Sequence, residues 1–304
     1  MPFTAKQLRI TFVLSGASKF SNSSNTLVVT GLRAACVIQS MQFPAFPEAD
    51  IRVYGLLEAD MNTLTCFEQQ WSVTGNALLN TSRNTVIVEA NGGAGWVTVF
   101  SGQMISAQPT YENAPDVALQ IKARVLFYES LATTAPTSYT GSTDVATVVS
   151  NLASRIGATF ENNGVKATLS NPYWPGTIGD QLQAVAEHAH IGLFYDYGPA
   201  GASSPTTICI APKGVPRKTP VVALAPGAQL VGWPTLDSLG WIFCRSEFNP
   251  ALKFGGTVKI SNSTPPRSNG TWFVLQLTHA IDALVPGGGW FSDMHLSAIF
   301  PYAQ

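Results

Sequence analysis

The hydrophobic pattern divides the chain into two strand-forming ends and a middle stretch of helical period. Residues 7–14 alternate, with Leu8, Ile10, Phe12 and Leu14 on one face, the period-two signature of a half-buried strand. After a polar bend at 21–25, Leu27-Val-Val starts a second strand. Residues 32–38 read as β, because Gly31 precedes them and no helix cap is present. The segment 44–47 breaks this run, 51–57 resumes extended structure, and 59–64 reads as a short helical turn or a loop. Residues 86–90 and 96–100 flank Asn91-Gly-Gly and predict a hairpin. Over 117–125, Val117, Leu119, Ile121, Ala123 and Val125 share one side, with Gln120, Lys122 and Arg124 on the other. Residues 1–130 therefore predict an all-β unit, a barrel or a sandwich.

The period then changes. Residues 132–141, rich in Thr, Ser, Ala and Pro, read as a boundary. Asp144 can cap a helix carrying Val145, Val148, Val149, Leu152 and Ile156 along one stripe, ended by Gly157. Asn163-Gly164 predicts a short hairpin with Phe160 and Val165 near its ends. Residues 177–180 precede a second amphipathic helix with Leu182, Val185, Ala186 and Ala189, stopped at Gly192. Leu193-Phe-Tyr-Asp196 reads as a strand paired with 207–210 across 198–205. Residues 212–226 read as a second linker.

In the last third, 241–245, 257–260 and 271–279 read as strands separated by Asn249-Pro, Gly255-Gly256 and a tight Asn269-Gly270 reversal. Val258 and Ile260 alternate with polar neighbours. Trp272, Val274 and Gln276 oppose Phe273, Leu275 and Leu277, and the second set is the expected core face. The whole predicts an antiparallel meander forming a small barrel.

Charge narrows the function. Of 304 residues only 12% are charged and 45% are hydrophobic, about half the usual charged share, which fits surfaces covered by partners. A net charge of −1 argues against an electrostatic grip on nucleic acid. Lys213, Arg217 and Lys218 are the densest basic group and read as a solvated linker. Cys36, Cys66, Cys209 and Cys244 lie at no metal or redox spacing, so free thiols formed in a reducing cytoplasm are expected. No signal peptide or membrane-spanning run is evident, and a soluble protein is expected.

Catalytic and metal chemistry finds little support. His188 and His190, two apart on a helical pattern, diverge and cannot share an ion, and Glu187 beside them supplies no base. The runs Gly92-Gly-Ala-Gly95 and Gly287-Gly-Gly289 lack phosphate-loop context and read as turns. Glu58, Asp60, Glu68, Glu89 and Glu112 have no glycosidase spacing, and Trp71 and Trp96 read equally as core. Tyr173-Trp174-Pro175 is either an interface anchor or cover for the middle core.

The order of Asn249, Pro250, Leu252 and Gly255, a Val258-x-Ile260 strand, Asn269-Gly270, a strand ending in Thr278-His279, then Asp282 and Trp290, resembles the second tube-forming barrel of the central baseplate hub family. Those are the hub proteins of contractile-tailed bacteriophages, late control protein D among them. The helix–hairpin–helix–strand–strand order, with Ala189-His-Ile-Gly running into Leu-Phe-Tyr-Asp196, resembles the same family's middle domain. The resemblance covers residues 140–300.

It implies a mainly β chain with an α+β insertion: two small tube-type β-barrels, 1–130 and 216–304, flanking a helix-containing middle domain, 131–215. It further implies a structural, non-catalytic subunit of the virion tail baseplate. As a homotrimer, it would form a pseudo-sixfold ring joining the tail tube protein to the tail spike protein. Other baseplate proteins would touch its outside, and DNA would pass through the lumen without specific binding. No catalytic residue, cofactor or metal is expected; His279 and Asp282 are implied to be structural. A secretion-system spike hub normally continues into further β domains, and nothing here follows Phe300-Pro-Tyr. A lytic domain is likewise not expected in a chain of this length. A carbohydrate-binding β-protein would explain the low charge and the tryptophans but not the helical insertion. A hydrolase has no nucleophile motif behind it.

Overall fold

A computed structural model describes residues 5–41, 45–71, 77–79, 83–112, 114–197 and 206–298. Strand dominates, with three α-helices among the described residues. The chain divides into two compact units, Met1–Ile38, Glu48–Tyr128 and Ala280–Trp290 in the first, and Gln39–Pro47, Glu129–His279 and Phe291–Gln304 in the second.

The first unit contains β1 (Gln7–Val13), β2 (Thr26–Thr30), β3 (Ala34–Met41, whose end passes into the second unit), β4 (Glu48–Tyr54), α1 (Glu58–Leu64), β5 (Gln69–Trp71), β6 (Ala77–Leu79), β7 (Thr85–Asn91), β8 (Val97–Thr110) and β9 (Ala118–Arg124). Its main sheet runs β2-β1-β7-β8-β9-β4, with β3 beside β4, and among the described residues β5 pairs with β6 alone. The alternation in β1 does what its pattern predicts: Leu8, Ile10 and Phe12 are buried, and Leu14 follows them inside. In β9, Leu119, Ile121 and Ala123 are buried, with Val125 just beyond. The hairpin at Asn91 forms, its side-chain oxygen accepting the N–H groups of Gly93 and Gly95. β8 is buried along most of its length, and at Gly102 a Cβ would lie 2.6 Å from the Phe100 ring. Only glycine lets that ring fold onto its own strand. The 59–64 segment is helical. Its exit is tied to β8 by reciprocal backbone bonds between Cys66 and Ala107.

The second unit contains β10 (Thr137–Ser138), β11 (Ser142–Asp144), α2 (Val145–Arg155), β12 (Thr159–Asn162), β13 (Thr168–Ser170), β14 (Tyr173–Trp174), α3 (Ile178–His188), β15 (Ile191–Tyr197), β16 (Thr206–Pro212), β17 (Val222–Leu224), β18 (Leu230–Leu236), β19 (Ile242–Glu247), β20 (Thr257–Ile260), β21 (Gly270–Ala283, whose last residues enter the first unit) and β22 (Trp290–Ser297). Asp144 caps α2 by accepting from the Thr147 N–H. Thr177 and Asp180 form a reciprocal capping box on α3. The helix stripes bury Val145, Val148, Val149 and Leu152, and Leu182, Val185 and Ala186.

Several expectations change here. Asn163-Gly164 turns the chain, but the flanking strands part: β12 pairs in parallel with β16, and β13 pairs with β11. Asn162 directs this by holding the Gly164 and Val165 N–H groups with its own side chain. α3 stops at His190, which takes the left-handed conformation at φ 51; Gly192 lies inside β15. Residues 132–141, read as a boundary, are tied to the helices. Buried Gln181 bonds Thr137 and the Ala135 carbonyl, and Arg155 bonds Thr134, Ala135 and Thr137. Residues 212–226 contain β17, paired in parallel with β20. The loop 198–205 and residues 299–304 lie outside the described residues, as does the side chain of Trp71.

The C-terminal sheet runs β17-β20-β21-β22-β19-β18. It is not a simple meander, because β19 pairs with β22 and not with β20. The reversal into β21 is longer than two residues: Ile260 pairs with Gly270, and a 3-10 turn at Pro266–Ser268 fills the connection. β21 buries the expected side at Leu275 and Leu277, and Val274 on the other side is buried as well. Val274 and Leu277 enter a core with Leu224, Leu252, Val258 and Met294. Leu275 and Phe273 pack instead with Phe194, Cys209 and Phe254. Among the described residues no strand pairing joins β17 to β18 or β2 to β3, so no closed barrel forms among these strands.

Candidate functional site

The densest group of charges in the second unit sits where the α+β insertion meets the C-terminal sheet. β12 presents Glu161, β15 presents Asp196 and Tyr197, the segment after β16 carries Arg217, and the loop before β20 carries Lys253. The Arg217 guanidinium donates to Asp196 at 2.6 Å and to both Glu161 oxygens at 2.8 and 3.0 Å. Lys253 Nζ donates to the Tyr197 hydroxyl at 2.7 Å and lies 3.7 Å from Asp196. The Arg217 side chain is 8% exposed and that of Asp196 10%. The backbone completes the seam: Arg217 N–H bonds the Gly255 carbonyl, and Lys218 N–H bonds Asn163 Oδ1.

Gly255, at φ 74, lies against the Phe194 ring of the insertion, where a Cβ would come within 3.2 Å. The glycine serves a close approach as well as a turn. Burial opposes ionisation of Glu161, but Arg217 outweighs it and holds the carboxyl down to about 2. For Arg217 and Lys253, burial lowers the pKa, while their acidic and tyrosine partners outweigh it and leave both raised. Two cations face two carboxylates, so the cluster is balanced. It is an ion-paired joint, and it offers no free nucleophile or base.

The reading of Lys213, Arg217 and Lys218 as a solvated linker is therefore corrected at Arg217, which is buried and doubly paired. The sequence carries a signal for it. Asp196 ends an otherwise apolar strand, and a carboxylate in a strand with no polar face calls for a cation.

His279 and Asp282 do not act on one another. His279 is buried and shares a 2.8 Å hydrogen bond with Ser292, which is fully buried. Asp282 accepts from the Gly289 N–H at 2.7 Å and fixes the Gly287-Gly-Gly289 turn. Burial first, and Lys253 second, push the His279 pKa down to about 3, so the imidazole is neutral and enclosed. His188 accepts from the Trp174 indole at 2.9 Å. Among the described residues no three His, Cys, Asp or Glu side chains gather closely enough to hold a metal ion.

The acidic residues are dispersed. Asp60 is buried and accepts from Ser21, Glu89 pairs with Arg9, and Glu58, Glu68 and Glu112 are exposed. Trp96 lies under Arg9. Trp174 is core, whereas Tyr173 is 62% exposed. All four cysteines are free thiols, and Cys36, Cys209 and Cys244 are buried. In the first unit a groove of about 630 Å³ opens between Leu32, Tyr54, Leu56, Met61, Tyr111 and Pro115. At its wall Arg33 lies over the Tyr54 ring and pairs with Asp116.

A family profile described as Baseplate hub gp41 matches residues 7–283. The chain belongs to the baseplate hub gp41 family. As a member of that hub family it is a structural component of the phage tail baseplate. The fold is shared with solved tail proteins at low identity. A tail protein from Neisseria meningitidis MC58 matches with TM-score 0.59 and 11% identity over 95% of this chain and 96% of that one. The 43 kDa tail protein of prophage MuSo2 from Shewanella oneidensis matches with TM-score 0.58 and 9% identity over 97% and 99%. The E. coli c3393 protein, a component of the type VI secretion system, matches with TM-score 0.57 and 10% identity over 96% and 77%. No curated protein matches the sequence significantly. At these identities the likeness to the solved structures concerns the fold alone.

Proposed function

We propose that three copies of this chain form the ring of the baseplate hub, with a channel through which the genome leaves. In this reading two tube-type modules, 1–130 and 216–304, flank the insertion 131–215. Three chains then supply six roughly equivalent positions, meeting a sixfold tail tube on one side and a threefold spike on the other. The observation that carries the reading is the hub family match over residues 7–283. The strand edges support it. β2, Thr-Leu-Val-Val-Thr, is uncharged and ends its sheet, and such an edge is a liability unless a neighbour covers it. The role is structural and not enzymatic: the Ser292–His279 pair is enclosed, and the ionic cluster is internally satisfied.

A net charge of −1 suits a lumen that DNA traverses without sticking. The buried free thiols fit assembly in the host cytoplasm before the chain joins the virion. Other baseplate proteins would contact the outer surfaces. Sedimentation of the purified chain, alone and with its spike, tests the reading. A complex of three chains is expected. A monomer that ignores the spike and binds sugars would overturn it in favour of a carbohydrate-binding protein.

A further inference from the structure

Three Asn-Gly dipeptides occur in the chain, Asn91-Gly92, Asn163-Gly164 and Asn269-Gly270, and the fold treats them differently. In such a pair the glycine amide nitrogen can attack the asparagine side-chain carbon, because no Cβ stands in its way. Three groups govern the outcome: the attacking nitrogen, the oxygen that takes up charge, and the departing amide nitrogen.

At Asn163 the nucleophile and the leaving group are both held. The Gly164 N–H donates to Asn162 Oδ1 at 2.9 Å. Asn163 Nδ2 donates to Glu161 at 3.0 Å and to the Ile210 carbonyl at 3.2 Å. The residue is 2% exposed, so the water needed to complete the reaction is kept out. At Asn269 one residue pins the whole carboxamide. Oδ1 accepts the Ser263 N–H at 2.8 Å and Nδ2 donates to the Ser263 carbonyl at 3.1 Å. Gly270 begins β21 and is paired with Ile260.

Asn91 differs on each count. Its Oδ1 accepts the N–H groups of Gly93 at 2.8 Å and Gly95 at 3.2 Å. Two donors on that oxygen polarise the carbonyl and stand where charge develops in a tetrahedral intermediate, the arrangement of an oxyanion hole. Among the described residues, Asn91 Nδ2 and the Gly92 N–H make no hydrogen bond. Asn91 is also the last residue of β7. Pairing with β8 ends at Ala90, and only the pairing with Gln7 of β1 remains. Gly92, Gly93, Ala94 and Gly95 are all exposed, so the backbone can swing the Gly92 nitrogen toward the side chain without disturbing the core.

We propose that Asn91-Gly92 is a site of spontaneous modification in the folded protein, where the Gly92 nitrogen closes a succinimide ring on Asn91 Cγ while Asn163 and Asn269 are spared. In the first step the N–Cγ bond forms and the Gly92 proton passes to hydroxide. The Cγ–Nδ2 bond then breaks, and Nδ2 takes a proton from water and leaves as ammonia. Water next opens the ring. Attack at Cγ breaks the new bond and leaves aspartate; attack at the main-chain carbonyl breaks the backbone bond and leaves isoaspartate. Either product adds one carboxylate, taking the net charge from −1 to −2. The aspartate form keeps its hold on Gly93 and Gly95 through charge-assisted bonds. The isoaspartate form lengthens the main chain by a methylene at the residue paired with Gln7 and loosens that end of the ladder.

The test is incubation of the full chain in mildly alkaline buffer, folded and in urea, with peptide mass spectrometry that separates aspartate from isoaspartate. In the folded chain Asn91 is expected to give both products, with Asn163 and Asn269 slower by at least about tenfold, a modest effect for aligned oxyanion donors. In urea the three sites are expected to approach one rate. Conversion of Asn163 or Asn269 as fast as Asn91 in the fold overturns the proposal. So does an Asn91 that converts in urea but stays intact in the fold. Aspartate without isoaspartate overturns the ring route. Gly92→Ala supplies a second reading, since a Cβ there meets only Trp290 Nε1, at an ordinary 3.5 Å. Its methyl crowds the attacking nitrogen and is expected to slow Asn91 conversion by about tenfold, as misplaced reacting atoms do. An unchanged rate in that variant contradicts attack by Gly92.

Discussion

Replacing Arg217 with methionine removes the cation from the seam while keeping most of its buried stem. Asp196 then keeps Lys253, at 3.7 Å, and the Tyr197 N–H, at 2.8 Å. Glu161 keeps Asn163 Nδ2 at 3.0 Å and the Cys209 thiol. Breaking a buried pair from one side typically costs about 3–5 kcal/mol, because the stranded charge stays desolvated. The residual partners place Arg217→Met at the low end, about 3 kcal/mol. At roughly 2–4 °C per kcal/mol for a unit of this size, the midpoint should fall by about 6–12 °C. Arg245→Met is the internal control. Arg245 pairs with Asp293 at 2.7 Å, but its side chain is 51% exposed, and surface pairs contribute less than about 1 kcal/mol. Thermal and urea unfolding of both variants decide the matter. If Arg217→Met loses no more than Arg245→Met, the seam is not what holds the insertion to the C-terminal sheet.

Two further outcomes follow from buried groups. His279 is neutral in the fold, its pKa lowered from 6.5 to about 3, so between those values the unfolded chain binds a proton that the native chain does not. Stability is therefore fully present above 6.5 and falls as pH drops, by ~1.4 kcal/mol per pH unit from this one group. Over the window from about pH 6.5 to 4.5, before the low-pKa Glu161 adds a loss of the same sign, a His279→Gln chain should lose ~3 kcal/mol less than the native one; equal slopes refute the assignment. Burial raises the thiol pKa of Cys36, Cys209 and Cys244, the last to about 12, so a thiol reagent at neutral pH should label no site but Cys66 in the native chain and all four once unfolded. Rapid native labelling of more than one site contradicts the packing.

Strand placement was legible in the sequence wherever one face was apolar and the other polar. β1, β9 and the two helix stripes lie where their periods put them. Pairing was less legible, because it depends on partners distant in sequence. Asn163-Gly164 looks like a hairpin turn, yet Asn162 closes the turn locally and β12 goes to β16. In β21 the expected core side is the buried one at Leu275 and Leu277, and what the pattern did not show is that Val274, on the other side, is buried too, while Phe273 and Leu275 pack against Phe194. The helix stop at His190 was invisible because glycine is the usual residue there. Arg217 was read as solvated because Pro, Lys and Arg look alike in linkers. Only the lone Asp196 in an apolar strand pointed to its partner. The family resemblance drew on Leu252, Gly255 and His279, and each has a physical reason in the fold: a core side chain, a close approach to Phe194, and a buried bond to Ser292.

The most direct test of the hub assignment is electron cryomicroscopy of the assembled tail, locating this chain at the junction of tube and spike. Three copies around an open axis, with strand-rich modules at six positions of the ring, is the predicted result. A single copy, a position outside the tube axis, or a ring whose centre is filled by its own strands would contradict it.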